Sequence, residues 1–158
     1  MADRLVVDAS VVGKWFLKDE LETDVDLADG LLVALLAGDA DLHAPKTLQY
    51  EICGLLTKAC RVRVPSTGKP RLSKIAAVEH VRDFFSLPLQ FHEPTAEEDV
   101  TSVELAVDHA RSYYDMTYLS LAMKLGCKCC VADQRVLGGV GPAFPHEHVV
   151  TLAQLRTP

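Results

Sequence analysis

Apolar residues recur along the chain with two different periods. Short apolar runs end at a polar or acidic residue, as strands do, and longer stretches repeat apolar residues every three or four positions, as helices do. The clearest helix covers residues 47–59, where Leu48, Ile52 and Leu55 follow the helical spacing. The whole pattern predicts strands at residues 5–7, 42–44, 89–91, 127–132 and 148–152, and helices at residues 9–17, 21–36, 47–59, 73–85, 95–111 and 115–124. Strands that alternate with helices predict an α/β fold with a central, largely parallel β-sheet flanked by helices.

The helix predicted from residue 95 carries two specific signals. Thr95 and Glu98 stand three positions apart at its start, as the two partners of a capping box do. Val100, Val103, Val107 and Ala110 then recur at helical spacing. We therefore expect these four residues to form the buried face of the helix.

The composition predicts one domain that covers residues 1–158, because 49% hydrophobic residues are enough to build a core at this length. No apolar run approaches the about 20 residues that span a bilayer, and the first residues are charged. We therefore expect a cytoplasmic protein with no membrane association. Five cysteines, an odd number, favour reduced thiols over disulfides, and Cys127, Cys129 and Cys130 are expected to pack in the core.

The charge of the chain is unevenly distributed. A net charge of -6 argues against binding nucleic acid by bulk electrostatics. Between Glu51 and Glu79 there is no acid, and five of the 16 Lys and Arg residues fall in residues 61–74, here called the basic segment. Lys69 and Arg71 in this segment are candidates for contact with RNA or with a protein partner. The alternative, a solvated loop without a partner, stays open.

Four acids occupy positions from which they can meet in one crevice. Asp8 and Asp133 directly follow apolar runs, and ligands of open α/β sheets collect beyond the carboxyl ends of the strands. Glu51 lies on the same helix face as Leu48 and Leu55, so its carboxylate needs a partner. Asp115 begins a helix with an apolar face, which places it where that helix meets the sheet.

Such a cluster favours a bound cation, because two like charges about 4 Å apart repel by about 4 kcal/mol at an effective dielectric near 20. Carboxylates suit Mg²⁺ or Mn²⁺, which can bind phosphate oxygens and activate water to hydrolyse a phosphodiester. Each acid also has a simpler interpretation. Asp8 and Asp115 could cap helices, Asp133 could be a turn residue, and Glu51 could be a paired structural carboxylate.

Four stretches of the chain resemble the PIN domain, specifically the VapC-type toxins of toxin–antitoxin pairs. They are residues 5–10, 45–56, 113–122 and 130–133, which contain the four acids in the family's order. The most specific of them has Asp115 followed by Tyr118, Leu119 and Ala122. The resemblance implies a three-layer PIN-like α/β fold.

The resemblance also implies a function, namely Mg²⁺- or Mn²⁺-dependent endoribonuclease activity. The four acids Asp8, Glu51, Asp115 and Asp133 would then be metal-binding and catalytic, and Ser10 would lie beside the metal site. Ser10 could equally serve only the start of its helix. Family members are commonly homodimers restrained by a cognate antitoxin. Two alternatives stay open: a catalytically weak PIN scaffold that binds RNA or protein, and a nuclease of RNA processing or DNA ends.

Overall fold

Five strands form one sheet in the computed structural model, which describes residues 3–132, 138 and 140–155. The strands are β1 (Asp3–Val7), β2 (Ala40–Pro45), β3 (Gln90–His92), β4 (Lys128–Val131) and β5 (Val149–Thr151). Their order across the sheet is β3-β2-β1-β4-β5, and every neighbouring pair is parallel. The predicted central parallel sheet is therefore confirmed. All carboxyl ends of the strands lie at one edge, where ligands of such sheets bind.

Six α-helices in the described part of the chain flank the sheet and give the predicted three-layer α/β arrangement. They are α1 (Ala9–Phe16), α2 (Val25–Ala37), α3 (Thr47–Ala59), α4 (Lys74–Ser86), α5 (Ala96–Asp108) and α6 (Tyr113–Leu125). α1 packs against α2 and α3, α3 packs against α4, and α5 packs against α6. Among the described residues, no helix has the length and apolar character needed to cross a bilayer.

Two helix boundaries differ from the predicted ones for local reasons. α2 begins at Val25 instead of residue 21, because Leu21 lies in a turn where its backbone N–H donates to the Asp19 carboxylate at 3.0 Å. α5 ends at Asp108 instead of residue 111, because Ala110 adopts a left-handed backbone with φ of 52°. A left-handed residue cannot continue a right-handed helix.

The core lies around β1, which is central in the sheet. Val6 and Val7 are fully buried, and Trp15 of α1 donates its indole N–H to the Ala28 carbonyl at 2.8 Å. Cys129 and Cys130 of β4 are buried, as predicted, and burial raises the pKa of the Cys130 thiol to about 12. These thiols therefore pack as apolar groups and stay protonated at neutral pH.

The prediction of the buried face of α5 was wrong. Val100, Val103 and Val107 are 57%, 50% and 75% exposed, whereas Ser102 is buried. The Ser102 hydroxyl donates to the Glu98 carbonyl at 2.8 Å, which satisfies its polar group inside the helix contact. α5 packs on α6 through the side that contains Ser102. Its three valines lie on another side, which faces solvent.

Two helical glycines provide a matched prediction. A Cβ added at Gly13 in α1 would lie 2.9 Å from Leu55 Cδ1 of α3, whereas a Cβ added at Gly54 would have no heavy atom within 4 Å. Gly54→Ala should therefore stabilise the protein by about 0.5–1 kcal/mol through helix propensity. Gly13→Ala should show no such gain, because Leu55 must move to make room. Urea unfolding of both variants beside the wild type checks this, and equal gains would contradict the close α1–α3 contact.

Candidate active site

Asp8 begins the site directly after β1. Its backbone N–H donates to the Cys130 carbonyl of β4 at 3.0 Å, and its carboxylate accepts from the Ser10 N–H at 2.9 Å. The side chain therefore caps α1, as the simpler interpretation holds. Asp8 is also only 9% exposed, which is unusual for a helix cap that could face water. Capping alone does not account for a buried carboxylate at this edge of the sheet.

Glu51 is placed by the short connection between β2 and α3, in which Lys46 stands between Pro45 and Thr47. Its side chain is half-buried and accepts a hydrogen bond from the Tyr118 hydroxyl of α6. The predicted need for a partner is therefore met by a tyrosine that is completely buried.

Asp115 lies in the first turn of α6 and is exposed. It does not cap the helix, because Ser112 is the cap and its hydroxyl accepts from the Asp115 N–H at 3.2 Å. The simpler interpretation of Asp115 is therefore wrong. Its carboxylate repels those of Asp8 and Glu51, so the three charges influence one another across α1, α3 and α6. These three acids are called the carboxylate cluster below.

The electrostatics of the carboxylate cluster are unfavourable without a cation. Burial raises the pKa of Asp8, and its hydrogen bonds to Ser10 only partly oppose this. Burial also raises the pKa of Glu51, with repulsion from Asp8 and Asp115 adding to it against the Tyr118 hydrogen bond. Over the described ranges, no Lys, Arg or His forms an ion pair with any of the three.

A hard divalent cation fits this donor set, because carboxylate oxygens are its preferred ligands and its charge relieves their repulsion. Within residues 3–132, 138 and 140–155, however, no three acidic, histidine or cysteine side chains are grouped closely enough to hold a metal by themselves. The fourth predicted acid, Asp133, lies outside the described residues. Its predicted role in completing the set stays a prediction.

Ser10 connects the start of α1 to the end of β4. Its hydroxyl accepts from the Ala132 N–H at 3.1 Å, across 122 positions of sequence, while its own N–H donates to Asp8. Ser10 is therefore more than a second hydroxyl at a helix start. It fixes the chain beside Asp8 at the residue that precedes Asp133 in the sequence.

The basic segment is held by acids of the α1–α2 loop. Arg71 donates to Asp19 at 2.7 Å and to Glu22 at 2.8 Å, and Glu22 also accepts from the buried Lys14 at 3.2 Å. Arg71 thus has a structural role that its position in a basic stretch did not indicate. Lys69 is exposed, and no ion pair of the described residues includes it.

Tyr118 is a residue of the candidate site to which the sequence reasoning gave no role. It appeared only as part of the motif that begins at Asp115. Two observations together could have found it. Glu51 needed a hydrogen-bond partner, and Tyr118 lies on the core-facing side of the helix that also carries Asp115. Burial, and then the Glu51 charge, raise the pKa of the Tyr118 hydroxyl far above its usual value, so it stays a hydrogen-bond donor.

The sheet order, the three layers and the acids at the strand ends together define a PIN-like fold, and comparison with solved structures confirms it. A chain of a toxin–antitoxin complex from Klebsiella pneumoniae matches with 14% identity and a TM-score of 0.61, over 94% of this chain and 97% of that one. PAE2754 from Pyrobaculum aerophilum matches with 20% identity and a TM-score of 0.62, over 98% and 95%.

A third structure with this fold is the toxin VapC20 of Mycobacterium tuberculosis, described as cleaving the sarcin-ricin loop. It matches with 18% identity and a TM-score of 0.59, over 89% of this chain and 99% of that one. At these identities the likeness establishes the fold. No protein-family model matches the sequence, and no curated protein matches it.

Proposed function

We propose that this protein is a metal-dependent endoribonuclease and the toxin of a toxin–antitoxin pair. The observation that carries the proposal is the carboxylate cluster: Asp8 before α1, Glu51 in α3 and Asp115 in α6 lie at the carboxyl edge of the sheet. The pKa values of Asp8 and Glu51 are raised, and no Lys, Arg or His of the described residues forms an ion pair with any of the three acids. A purely structural fold would gain stability by losing these charges. Their retention fits a site that binds a cation.

Each acid would contribute differently to this site. Asp8, Glu51, Asp115 and Asp133 would hold Mg²⁺ or Mn²⁺, which when bound stabilises negative charge on a phosphate and activates water. Asp8 is fixed by Ser10, and Glu51 is fixed by Tyr118, so both carboxylates are oriented before a ligand arrives. Asp115 is exposed, which leaves the solvent side of the cluster open to an RNA phosphate.

The proposed partners are an RNA substrate, a cognate antitoxin and a second copy of the chain. The toxin VapC20, which is described as cleaving the sarcin-ricin loop, supports an RNA substrate. The toxin–antitoxin complex from Klebsiella pneumoniae supports an antitoxin partner. Such a toxin would act in the cytoplasm, where its RNA substrate and its antitoxin are made. The homodimer follows from the resemblance of the sequence to VapC-type toxins.

The experiment that tests the function is cleavage of a mixed single-stranded RNA pool by antitoxin-free protein. Each reaction contains Mg²⁺, Mn²⁺ or EDTA, and Asp115→Asn is compared with the wild type. We expect cutting only with metal, and at least about 100-fold slower cutting by the variant, since removal of one transition-state contact has effects of this size. Asp108→Asn, an exposed acid on α5, is the matched control and should cut at the wild-type rate.

A second function is distinguished in the same assay. If folded protein binds RNA or a partner but never cuts under any metal condition, the PIN scaffold acts as a binding module and the nuclease proposal fails. Cutting that persists in EDTA or in Asp115→Asn would also contradict the metal-dependent mechanism. Protein folding is checked by thermal unfolding of each preparation.

Replacements in the basic segment separate RNA contact from structure. Arg71→Ala should lower the free energy of unfolding by about 1–3 kcal/mol, because Asp19 and Glu22 lose charged hydrogen bonds in a half-buried network. Lys69→Ala should leave stability unchanged, because its side chain is exposed, and should weaken RNA binding if the segment contacts RNA. Urea unfolding and RNA-binding titrations measure the two effects. Unchanged binding by Lys69→Ala would reject the RNA contact at this residue.

A further inference from the structure

All four tyrosines of the chain lie close in sequence to an acid of the carboxylate cluster. One of them, Tyr50, directly precedes Glu51 in α3, and the other three lie within three positions of Asp115 in α6. Two tyrosines of α6, Tyr113 and Tyr118, donate their hydroxyls to carboxylates of the chain. The fold therefore uses two of the four tyrosines in its own hydrogen bonds.

The other two tyrosines, Tyr50 and Tyr114, present their rings to solvent. Tyr50 is 74% exposed and Tyr114 is 58% exposed, and neither hydroxyl forms a hydrogen bond with a described residue. A single apolar residue on a surface is ordinary. These two, however, directly precede Glu51 and Asp115, so both rings belong to the surface of the candidate active site.

Tyr114 lies on the face of α6 that meets the carboxylate cluster. It precedes Tyr118 by four positions, so the two side chains are neighbours on one face of the helix. Tyr118 contacts Glu51 of α3 from that face. Tyr114 is one turn nearer the start of α6, and an edge-to-face contact with Tyr113, with ring centroids 5.6 Å apart, restricts its ring. The ring is held in place and still open to a ligand.

Tyr50 supplies a second exposed ring from α3. Glu51 is directed towards Tyr118 and is half-buried, whereas Tyr50, one position earlier, faces solvent. The two exposed rings therefore come one each from the helices that carry Glu51 and Asp115.

We infer that Tyr50 and Tyr114 stack on the unpaired bases that flank the RNA phosphate bound at the carboxylate cluster. This inference rests on the proposed function and names the side chains that hold the RNA bases. Unpaired bases stack on aromatic side chains, and every base has an aromatic face, so such contacts tolerate any sequence. In a duplex the bases stack on one another and are not available to either ring.

The charge of the protein favours bases over phosphates as the ligands of these rings. With a net charge of -6 and a cluster of acids between α3 and α6, the surface does not attract an RNA backbone by bulk electrostatics. Affinity beyond the bound cation must come from contacts that do not depend on charge. Stacking on two exposed rings is a contact of this kind.

Binding of a labelled single-stranded RNA of about 12 nucleotides, measured by fluorescence anisotropy with Mg²⁺ present, tests the stacking. Every protein carries Asp8→Asn, which slows cutting and makes the cluster less repulsive to phosphate. Tyr50→Ala and Tyr114→Ala should each raise the dissociation constant by about 5-fold or more, as loss of one stacked base does. Tyr50→Phe and Tyr114→Phe should bind as the Asp8→Asn parent does, because the ring makes the contact.

Phe85→Ala is the matched control. Phe85 is 53% exposed, and its ring makes an edge-to-face contact with that of Phe84, with centroids 5.3 Å apart. It lies near the end of α4, which leads into the amino end of β3, so it is at the opposite edge of the sheet from the carboxylate cluster. Its replacement should leave the affinity for RNA unchanged. Thermal unfolding should show every variant folded, because the replaced side chains are exposed.

An oligomer of the same length whose nucleotides lack bases separates stacking from other contacts. The alanine variants and their parent should bind it equally weakly, because each ring then has no base to stack on. Alanine variants that bind RNA as the parent does, or that lose equal affinity for RNA and for the base-free oligomer, would overturn the inference. A wild type that never cuts RNA, together with the expected losses of affinity, would reject the proposed cleavage and retain the base contacts.

Discussion

Asp8→Asn is expected to stabilise the metal-free protein and to abolish most of its cleavage activity. Asparagine keeps the cap, because its side-chain oxygen can still accept from the Ser10 N–H. It removes a buried charge whose pKa is raised by burial and by repulsion from Asp115. We expect the free energy of unfolding to rise, because the neutral amide avoids the burial and the repulsion from Asp115 that disfavour the charged carboxylate. Urea unfolding in EDTA measures it.

The same variant should lose the stabilisation that metal gives to the wild type. A divalent ion at 100 times its dissociation constant adds about 2.7 kcal/mol to a protein that binds it only when folded. The wild type should show this gain with Mg²⁺ or Mn²⁺, and Asp8→Asn should show little of it. Asp26→Asn, at an exposed acid in the first turn of α2, is the control and should keep the metal effect. If neither Mg²⁺ nor Mn²⁺ changes the free energy of unfolding of the wild type, the carboxylate cluster is not a metal site.

Tyr118→Phe is expected to weaken metal binding and RNA cleavage by about 10- to 100-fold, the usual cost of losing the residue that orients a ligand. Phenylalanine keeps the ring in the core but leaves the Glu51 carboxylate without its hydroxyl partner. The metal dissociation constant, measured by calorimetry, reports this positioning role more directly than thermal stability does. The expected loss should appear in the affinity for Mn²⁺ as well as in the cleavage rate.

Tyr113→Phe is the matched control for Tyr118→Phe. Tyr113 lies on the same helix and also donates its hydroxyl to a carboxylate, that of Asp99 at 2.7 Å, but Asp99 does not belong to the carboxylate cluster. Its replacement should leave the affinity for metal unchanged. Equal losses in the two variants, or no loss in Tyr118→Phe, would contradict the role assigned to the Tyr118 hydroxyl.

Local sequence patterns predicted most of the helices and strands, because the spacing of apolar residues follows the geometry of each element over a few neighbouring residues. The α3 helix has the predicted bounds of residues 47–59, since its apolar residues repeat regularly over its whole length. Strand positions followed from apolar runs, and parallel pairing followed from alternation with helices. The PIN-like fold was indicated by the four motifs that contain the four predicted acids. The predicted single domain over residues 1–158 stays a prediction.

The predictions missed features that the spacing of apolar residues does not determine, namely which face of a helix is buried and which residues pair over long distances in the sequence. A helical period marks an apolar stripe, but it does not state whether that stripe meets the core or a solvent-exposed surface, and in α5 it meets solvent. The ion pairs of Arg71 span about fifty positions of sequence, so no local pattern indicates them. The pairing of Glu51 with Tyr118 spans 67 positions and depends on how two helices meet at the sheet edge.

Three of the four predicted acids, Asp8, Glu51 and Asp115, lie at the same edge of the sheet, and the reason is topological. Asp8 and Glu51 closely follow neighbouring strands, and the first turn of α6 reaches the same edge. The fourth, Asp133, comes two positions after the end of β4, the other neighbour of β1. Sequence spacing alone could not give these adjacencies, because it does not contain the strand order.

The hydrogen bond between Ser10 and Ala132 has a consequence for protein synthesis. It joins residues that are 122 positions apart, and the acids of the carboxylate cluster, Asp8, Glu51 and Asp115, are also far apart in the sequence. A ribosome adds residues in order, and domains fold as the chain emerges. The carboxylate cluster of a growing chain is therefore incomplete until residue 115 has been added, and the hydrogen bond to Ser10 cannot form before residue 132 has been added. If the proposed function holds, the nascent chain would cut no RNA until that part of its message has been translated.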